Sequence, residues 1–184
     1  MKKSRITLSS FAMIFIGSML MAIGVGDRIP QVQLKTFNLT TEKWEMGGIP
    51  YLGTKVLTIF YTDVDVADMN DPLSNAIKAK NYPEAVYKGI GIGNSKDAPL
   101  KPDVFIRMAA KRKMKQFPGS VILLDETYAF RNALGLGDCN QKAAVFVVGK
   151  DGKIKYFKKI SSAAESQAQI AEVIPILNRE CGVK

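Results

Sequence analysis

The stretch Lys55–Lys80, KVLTIFYTDVDVADMNDPLSNAIKAK, decides the fold. Val56, Leu57, Ile59 and Phe60 form a short apolar run rich in strand formers, which fits a strand covered on both faces by helices. Such a strand is expected at the centre of its sheet. Asp71-Pro72 is a helix start signal: the Asp side chain can accept from a free N–H of the first turn, and Pro at the first helical position gives up a donor that had no partner there. The pattern predicts a helix running to about Lys80. Between strand and helix lie Asp63, Asp65 and Asp68, in a loop at the carboxyl end of the strand, where open α/β sheets bind ligands.

Upstream, the segment Gly26–Met46, GDRIPQVQLKTFNLTTEKWEM, alternates apolar and polar residues on both sides of Asn38–Thr41, as a β-hairpin would. Downstream, Ala85–Gly93 contains GIGIG. Its alternation around Ile90 and Ile92 predicts a strand, and its glycines predict close backbone approach; the spacing is not that of a nucleotide-binding loop. A helix is expected from about Asp103 to Gln116, with Val104, Phe105, Met108 and Ala109 on its packed face and Arg107, Lys111, Arg112, Lys113 and Lys115 on the other. That basic face suits docking to an anionic surface. Ser120–Leu124 reads as a second buried strand, followed by a turn and short helix over Asp125–Leu136. Ala143–Val148 and Ile154–Phe157 flank an Asp151-Gly152 turn, the strongest hairpin signal in the chain. A last helix from about Ala163 carries Ile170, Val173, Ile174 and Leu177 at helical spacing, with a bend expected at Pro175.

At the N-terminus, Lys2, Lys3 and Arg5 precede an uncharged stretch from Ile6 to Gly26. This is the pattern of an export signal, with Leu20-Met21-Ala22 as its cleavage site. The reading gives a signal segment over 1–22 and a domain over 27–184. The expected location is the periplasm; the alternative is an uncleaved segment anchoring the chain in the inner membrane, because its length approaches that of a span. The 184 residues, 47% hydrophobic and 23% charged, suit one domain with a full core. Net charge is +9; without the signal, 23 cations face 17 anions, leaving +6. For an exported chain the acidic partners are membrane headgroups, anionic polysaccharide or an envelope protein, and nucleic acid is not expected. The chain has no histidine, which excludes histidine-based triads and zinc sites of the usual kind. An EF-hand reading of the aspartate series lacks the sixth-position glycine and has Ser74 where the bidentate glutamate belongs.

The order of elements resembles that of redoxins, the thioredoxin-like group that includes peroxiredoxins. More narrowly, Leu73-Ser74-Asn75-Ala76-Ile77-Lys78, Phe105-Ile106-Arg107, Val121–Asp125, and Val145 through Asp151-Gly152-Lys153 resemble the YtfJ family, small exported bacterial proteins with no established activity. The resemblance implies an α/β, thioredoxin-like three-layer fold, with a central mixed sheet flanked by helices and an N-terminal β-hairpin extension. It also exposes departures. No cysteine lies between Phe60 and Leu73, and Met69 falls near the place of a peroxidatic cysteine. Lys142-Ala143-Ala144 stands where redoxins carry a cis-proline. These departures point to a binding or adaptor module without redox activity and without a cofactor, holding an envelope partner through Asp63, Asp65 and Asp68 together with Lys111, Arg112 and Lys115. The alternative is a single-cysteine thiol oxidoreductase or peroxidase-like enzyme using Cys139, placed by this fold at the same end of the sheet as the acidic loop. Cys139 and Cys181 are expected to remain unpaired, because the final helix carries Cys181 away from that end.

Overall fold

The computed structural model describes residues 23–38, 40–97, 103–116 and 119–183. The segment expected to direct export and the boundary signals expected at Pro99, Pro102 and Pro118 lie outside the described residues. In chain order the elements are β1 (Leu34–Asn38), β2 (Lys43–Gly47), β3 (Val56–Asp63), α1 (Asp71–Ala79), β4 (Tyr87–Asn94), α2 (Asp103–Gln116), β5 (Val121–Asp125), α3 (Ala129–Ala133), β6 (Ala143–Val148), β7 (Ile154–Ile160), α4 (Ala163–Ala168) and α5 (Ile170–Cys181).

Among the described residues seven strands form one mixed sheet, in the order β2-β1-β5-β4-β3-β6-β7. The strands β3, β4 and β5 are parallel, and every other pairing is antiparallel. β3 is interior, as its unbroken apolar run requires, but the middle of the sheet is β4. The N-terminal hairpin β1–β2 joins through β1, pairing Lys35 with Leu124. This is the expected three-layer α/β architecture.

Alternation along the strands sorts the core onto two faces. Leu57, Ile59, Tyr61, Ile90, Ile92, Leu123, Ala144 and Phe146 point to one, where Phe130 of α3 stacks on Tyr61 and meets Phe146 edge-on. Val56, Val145 and Val147 point to the other, against Leu73 and Ile77 of α1 and Val173 and Leu177 of α5. On that same side α2 packs through Ile106 and Ala110 onto Leu124. The glycines of β4 face these helices. A Cβ on Gly93 would stand 3.1 Å from Val64 Cγ1 and 3.2 Å from Leu124 Cδ2, so GIGIG is a strand that lends one side to the core and clears the other for close packing.

Four expectations are corrected. The segment between β3 and α1 is not an open loop but a run of 3-10 turns, Val64–Asn70, interrupted at Val66. Asp71 is the first residue of α1 rather than its cap; Asn70 precedes it without a side-chain bond, and the Leu73 N–H is met instead by Ser166 Oγ of α4 at 3.3 Å. The C-terminal helix is divided at Gln169 into α4 and α5, with Pro175 inside α5 as expected. On α2 the buried residues are Ile106, Ala110 and Met114, while Val104, Phe105 and Met108 face solvent. Both sides of α2 carry apolar residues, and the sheet takes the 106–110–114 stripe, whose i, i+4 spacing is the more regular.

Gly93→Val is expected to destabilise the fold by about 1–3 kcal/mol despite the better strand propensity of Val, because Val64 and Leu124 leave no room for the branched side chain. Urea unfolding checks this; an unchanged or raised midpoint would refute the close packing.

Candidate functional site

The parallel strands β3, β4 and β5 end in register on Asp63, Asn94 and Asp125. All three are buried, and by alternation they share the face of Tyr61 and Phe130. Where a strand ends and the backbone turns, N–H groups lose their ladder partners, and the Asp63 and Asp125 side chains collect them. Asp63 accepts from the N–H of Asp65 at 2.9 Å and of Gln141 at 2.7 Å. Asp125 accepts from the N–H groups of Ala129, Phe130 and Arg131 and from the Tyr61 hydroxyl at 3.2 Å, which makes it the cap of α3 from outside the helix. Burial, and then the Asp125 carboxylate, push the Tyr61 phenol far above its ordinary range. Asn94 donates to Asp97, whose other oxygen accepts from Tyr128; Arg131 lies against the Tyr128 ring, 3.4 Å from its centroid.

Asp63 is thus an internal fastener with no exposed surface. Asp65 and Asp68 are exposed, and with Val66, Ala67, Met69 and Ala163 of α4 they line an open concavity of about 360 Å³. It is formed by the turns that lead into α1 and by the first residue of α4. Among the described residues no group of three or more acidic, cysteine or histidine side chains could hold a metal.

Cys139 lies in the loop ahead of β6, which Asp63 ties to the end of β3 through Gln141 and through its own N–H to the Lys142 carbonyl at 3.1 Å. It therefore lies at the expected end of the sheet. Its thiol is fully buried, within the Tyr61–Phe130 core. Burial pushes the thiol up from its ordinary range; Lys159 and Arg131 pull it down and Asp97 and Asp138 push it up further, leaving it raised overall. A raised, enclosed thiol is a poor nucleophile. Cys181 is likewise free, and burial raises it too. It packs with the α1–α5 core on the opposite face of the sheet.

Of the basic residues of α2, Lys113 lies 4.0 Å from Asp71, and Lys111, Arg112 and Lys115 turn elsewhere. Lys111 and Lys115 reach toward Glu42 in the hairpin turn, at 3.8 and 3.9 Å, and the Lys111 ammonium lies 4.9 Å from the Phe37 ring centroid. Arg112 is exposed. The carboxyl edge therefore gathers Asp65, Asp68 and, beneath the surface, Asp63 and Cys139, while Lys111, Arg112 and Lys115 form a separate face.

Residues 14–180 match the model of a family described as a bacterial protein of unknown function, YtfJ_HI0045. The chain belongs to that family. Among YtfJ relatives, an uncharacterised protein of Haemophilus influenzae is 30% identical over 60% of this chain, and YtfJ of Escherichia coli K12, also uncharacterised, is 26% identical over 58%. The matched stretch spans 58% and 57% of those relatives' own lengths. The solved structures that resemble it are thioredoxin-like. A chain from Chlorobium tepidum assigned as a thiol:disulfide interchange protein DsbE superposes with a TM-score of 0.59, at 14% identity, over 85% of this chain and 99% of its own. At that identity the likeness establishes the fold alone.

Asp125, Asn94, Asp97, Tyr128 and Arg131 are site residues that the sequence reading did not single out. Asp125 had a usable signal, since it follows a buried strand and precedes a short helix just as Asp63 does. Tyr128, in a left-handed conformation at φ 61°, had none. Asp125→Ala is expected to cost about 3–5 kcal/mol, because three backbone N–H groups and a buried hydroxyl lose a charged acceptor together. Asp125→Asn, which keeps one acceptor oxygen, should cost clearly less. Denaturant midpoints decide, and a loss below about 1 kcal/mol for the alanine variant would refute the capping role.

Proposed function

We propose that this YtfJ-family chain is an exported binding or adaptor module of the cell envelope, a thioredoxin-like scaffold that holds a partner without thiol chemistry. Export is supported by the basic start at Lys2, Lys3 and Arg5 and by the uncharged stretch that follows. One observation carries the non-redox reading. Met69 stands near the place of a nucleophilic thiol and Asp71-Pro72 fills the start of α1, while Cys139, the cysteine in the loop tied to this edge, is enclosed and raised. A helix N-terminus stabilises a thiolate; carboxylates placed there satisfy the same positive end and oppose it. What the edge offers instead is the open concavity lined by Asp65 and Asp68 together with the apolar Val66, Ala67 and Met69. That combination suits a partner segment with a cation beside an apolar side chain.

The second reading, a thiol enzyme acting through Cys139, is favoured by two observations: Lys159 and Arg131 both pull the thiol downward, and a structural neighbour is assigned to thiol:disulfide interchange. The two readings separate in one set of measurements. The adaptor reading expects no reduction of insulin disulfides and no peroxide consumption above a Cys139→Ser control, and slow alkylation of Cys139 in the native protein. It further expects that photo-cross-linking from Met69 in envelope preparations captures a partner, and that Asp65→Asn with Asp68→Asn reduces the capture. Turnover that disappears with Cys139→Ser would establish the enzyme reading instead.

A further inference from the structure

The outward side of α2 has a chemistry of its own. Val104, Phe105 and Met108 are 57%, 61% and 62% exposed, and their spacing places them on one side of the helix together with Arg112. The helix already packs on the sheet through Ile106, Ala110 and Met114, so the outer cluster is not core that failed to find a partner within the described fold. Single exposed apolar side chains are ordinary; three large ones within one turn and a half form a surface that water solvates poorly.

The charge around this cluster has one sign. From Val104 to Gln116 the helix holds Arg107, Lys111, Arg112, Lys113 and Lys115 and no acidic residue. Arg107 is committed to Glu126 at 3.0 Å. Lys111 and Lys115 share Glu42, and Lys113 is 4.0 Å from Asp71. Ion pairs this long at a wet surface are weak and leave their ammonium groups free to meet stronger anions. Arg112 has no ion pair among the described residues. The outer face thus runs from an apolar first half to a cationic second half.

We propose that α2 docks on an anionic phospholipid surface, with Phe105 and Met108 entering the boundary between headgroups and acyl chains while Arg112 and Lys115 lie among the phosphates. An outward helix face needs a partner that yields to an apolar ridge, and a bilayer does so without a matching pocket. Its phosphates supply the negative charge that the helix lacks. A second copy of the chain fits worse, since a two-fold contact through α2 would set its cations against the same cations or, with the helices antiparallel, against the partner's apolar half, and residues 104–116 supply no anion in either case. The face shares no residue with the concavity at Asp65–Met69, so the two readings stand or fall separately.

The test uses the full chain and flotation with vesicles of phosphatidylcholine alone or with phosphatidylglycerol added. Lys2, Lys3 and Arg5 are changed to Gln in every chain compared, and partition into neutral vesicles then measures what the N-terminal stretch contributes. The wild type is expected to favour anionic vesicles at low salt, and high salt to erode the preference. Phe105→Ser with Met108→Ser, and separately Arg112→Glu with Lys115→Glu, should each reduce that preference about tenfold or more. Phe105→Trp gives a direct readout: after subtraction of the Trp44 signal, its emission should shift to the blue on anionic vesicles and not on neutral ones. An undiminished preference in both double variants, or Phe105→Trp emission that does not move, would overturn the proposal. A wild-type dimer that Phe105→Ser with Met108→Ser returns to monomer would also overturn it, and would assign the face to a second copy.

Discussion

The structure depends on two buried carboxylates at the ends of parallel strands. Taking a carboxylate out of water is costly unless the surrounding donors satisfy it. At Asp63 and Asp125 those donors are backbone N–H groups of segments that have no other way to close. Asp63 joins the end of β3 to Gln141, 78 residues later, and so sets where the chain enters β6. Asp125 gathers three consecutive N–H groups of α3 and the Tyr61 hydroxyl, which fixes α3 against the middle of the sheet. Asn94 stands between them in register. A third carboxylate there would put like charges on adjacent strands about 4.8 Å apart; the neutral amide keeps the row polar without that repulsion.

What the sequence made legible was local. The apolar run of β3, the Asp-Gly turn between β6 and β7, the N-terminal hairpin and the helix after Pro72 all declare themselves through periodicity or turn chemistry within about ten residues. The features that escaped depend on register or on long-range partners. Ser166 receiving the Leu73 N–H spans 93 residues, and nothing near Asp71 announces it. The Asp63–Asn94–Asp125 row becomes visible only once β3, β4 and β5 are aligned. The acidic stretch was legible as composition, yet Asp63 and Asp65, two residues apart, have opposite roles: one ends a strand pointing into the core, the other begins a turn facing water.

The orientation of α2 has a physical origin. A helix with a single apolar stripe can be oriented from its sequence, because one side alone gains from burial. α2 carries two such stripes, Ile106–Ala110–Met114 and Val104–Phe105–Met108, and the choice is made by what lies opposite. Leu124 and Ile122 of β5 pack with Ile106 and Ala110, so the sheet covers the stripe spaced at i, i+4. Glu126 then draws Arg107, and Arg107 in turn lies 5.8 Å from the Trp44 ring centroid, so the helix is held from the strand end and from the hairpin. The bulky Phe105 is left outside.

The same scaffold in a thiol enzyme would place its nucleophile where the positive end of α1 lowers a thiol pKa. Here Asp71 occupies the first helical position, Asp68 lies just ahead of it, and the Leu73 N–H is already engaged by Ser166. The electrostatic asset of that helix start is therefore spent within the fold. A sulfur could be put there by a single substitution, but it would meet two neighbouring carboxylates and a helix end with one donor fewer to offer. Fold similarity to a thiol:disulfide protein fixes where a site can form; the residues at the edge fix which chemistry it can hold. At this edge Asp68 and Asp71 stand where a thiolate would need the positive helix end, and Cys139 lies enclosed beneath it.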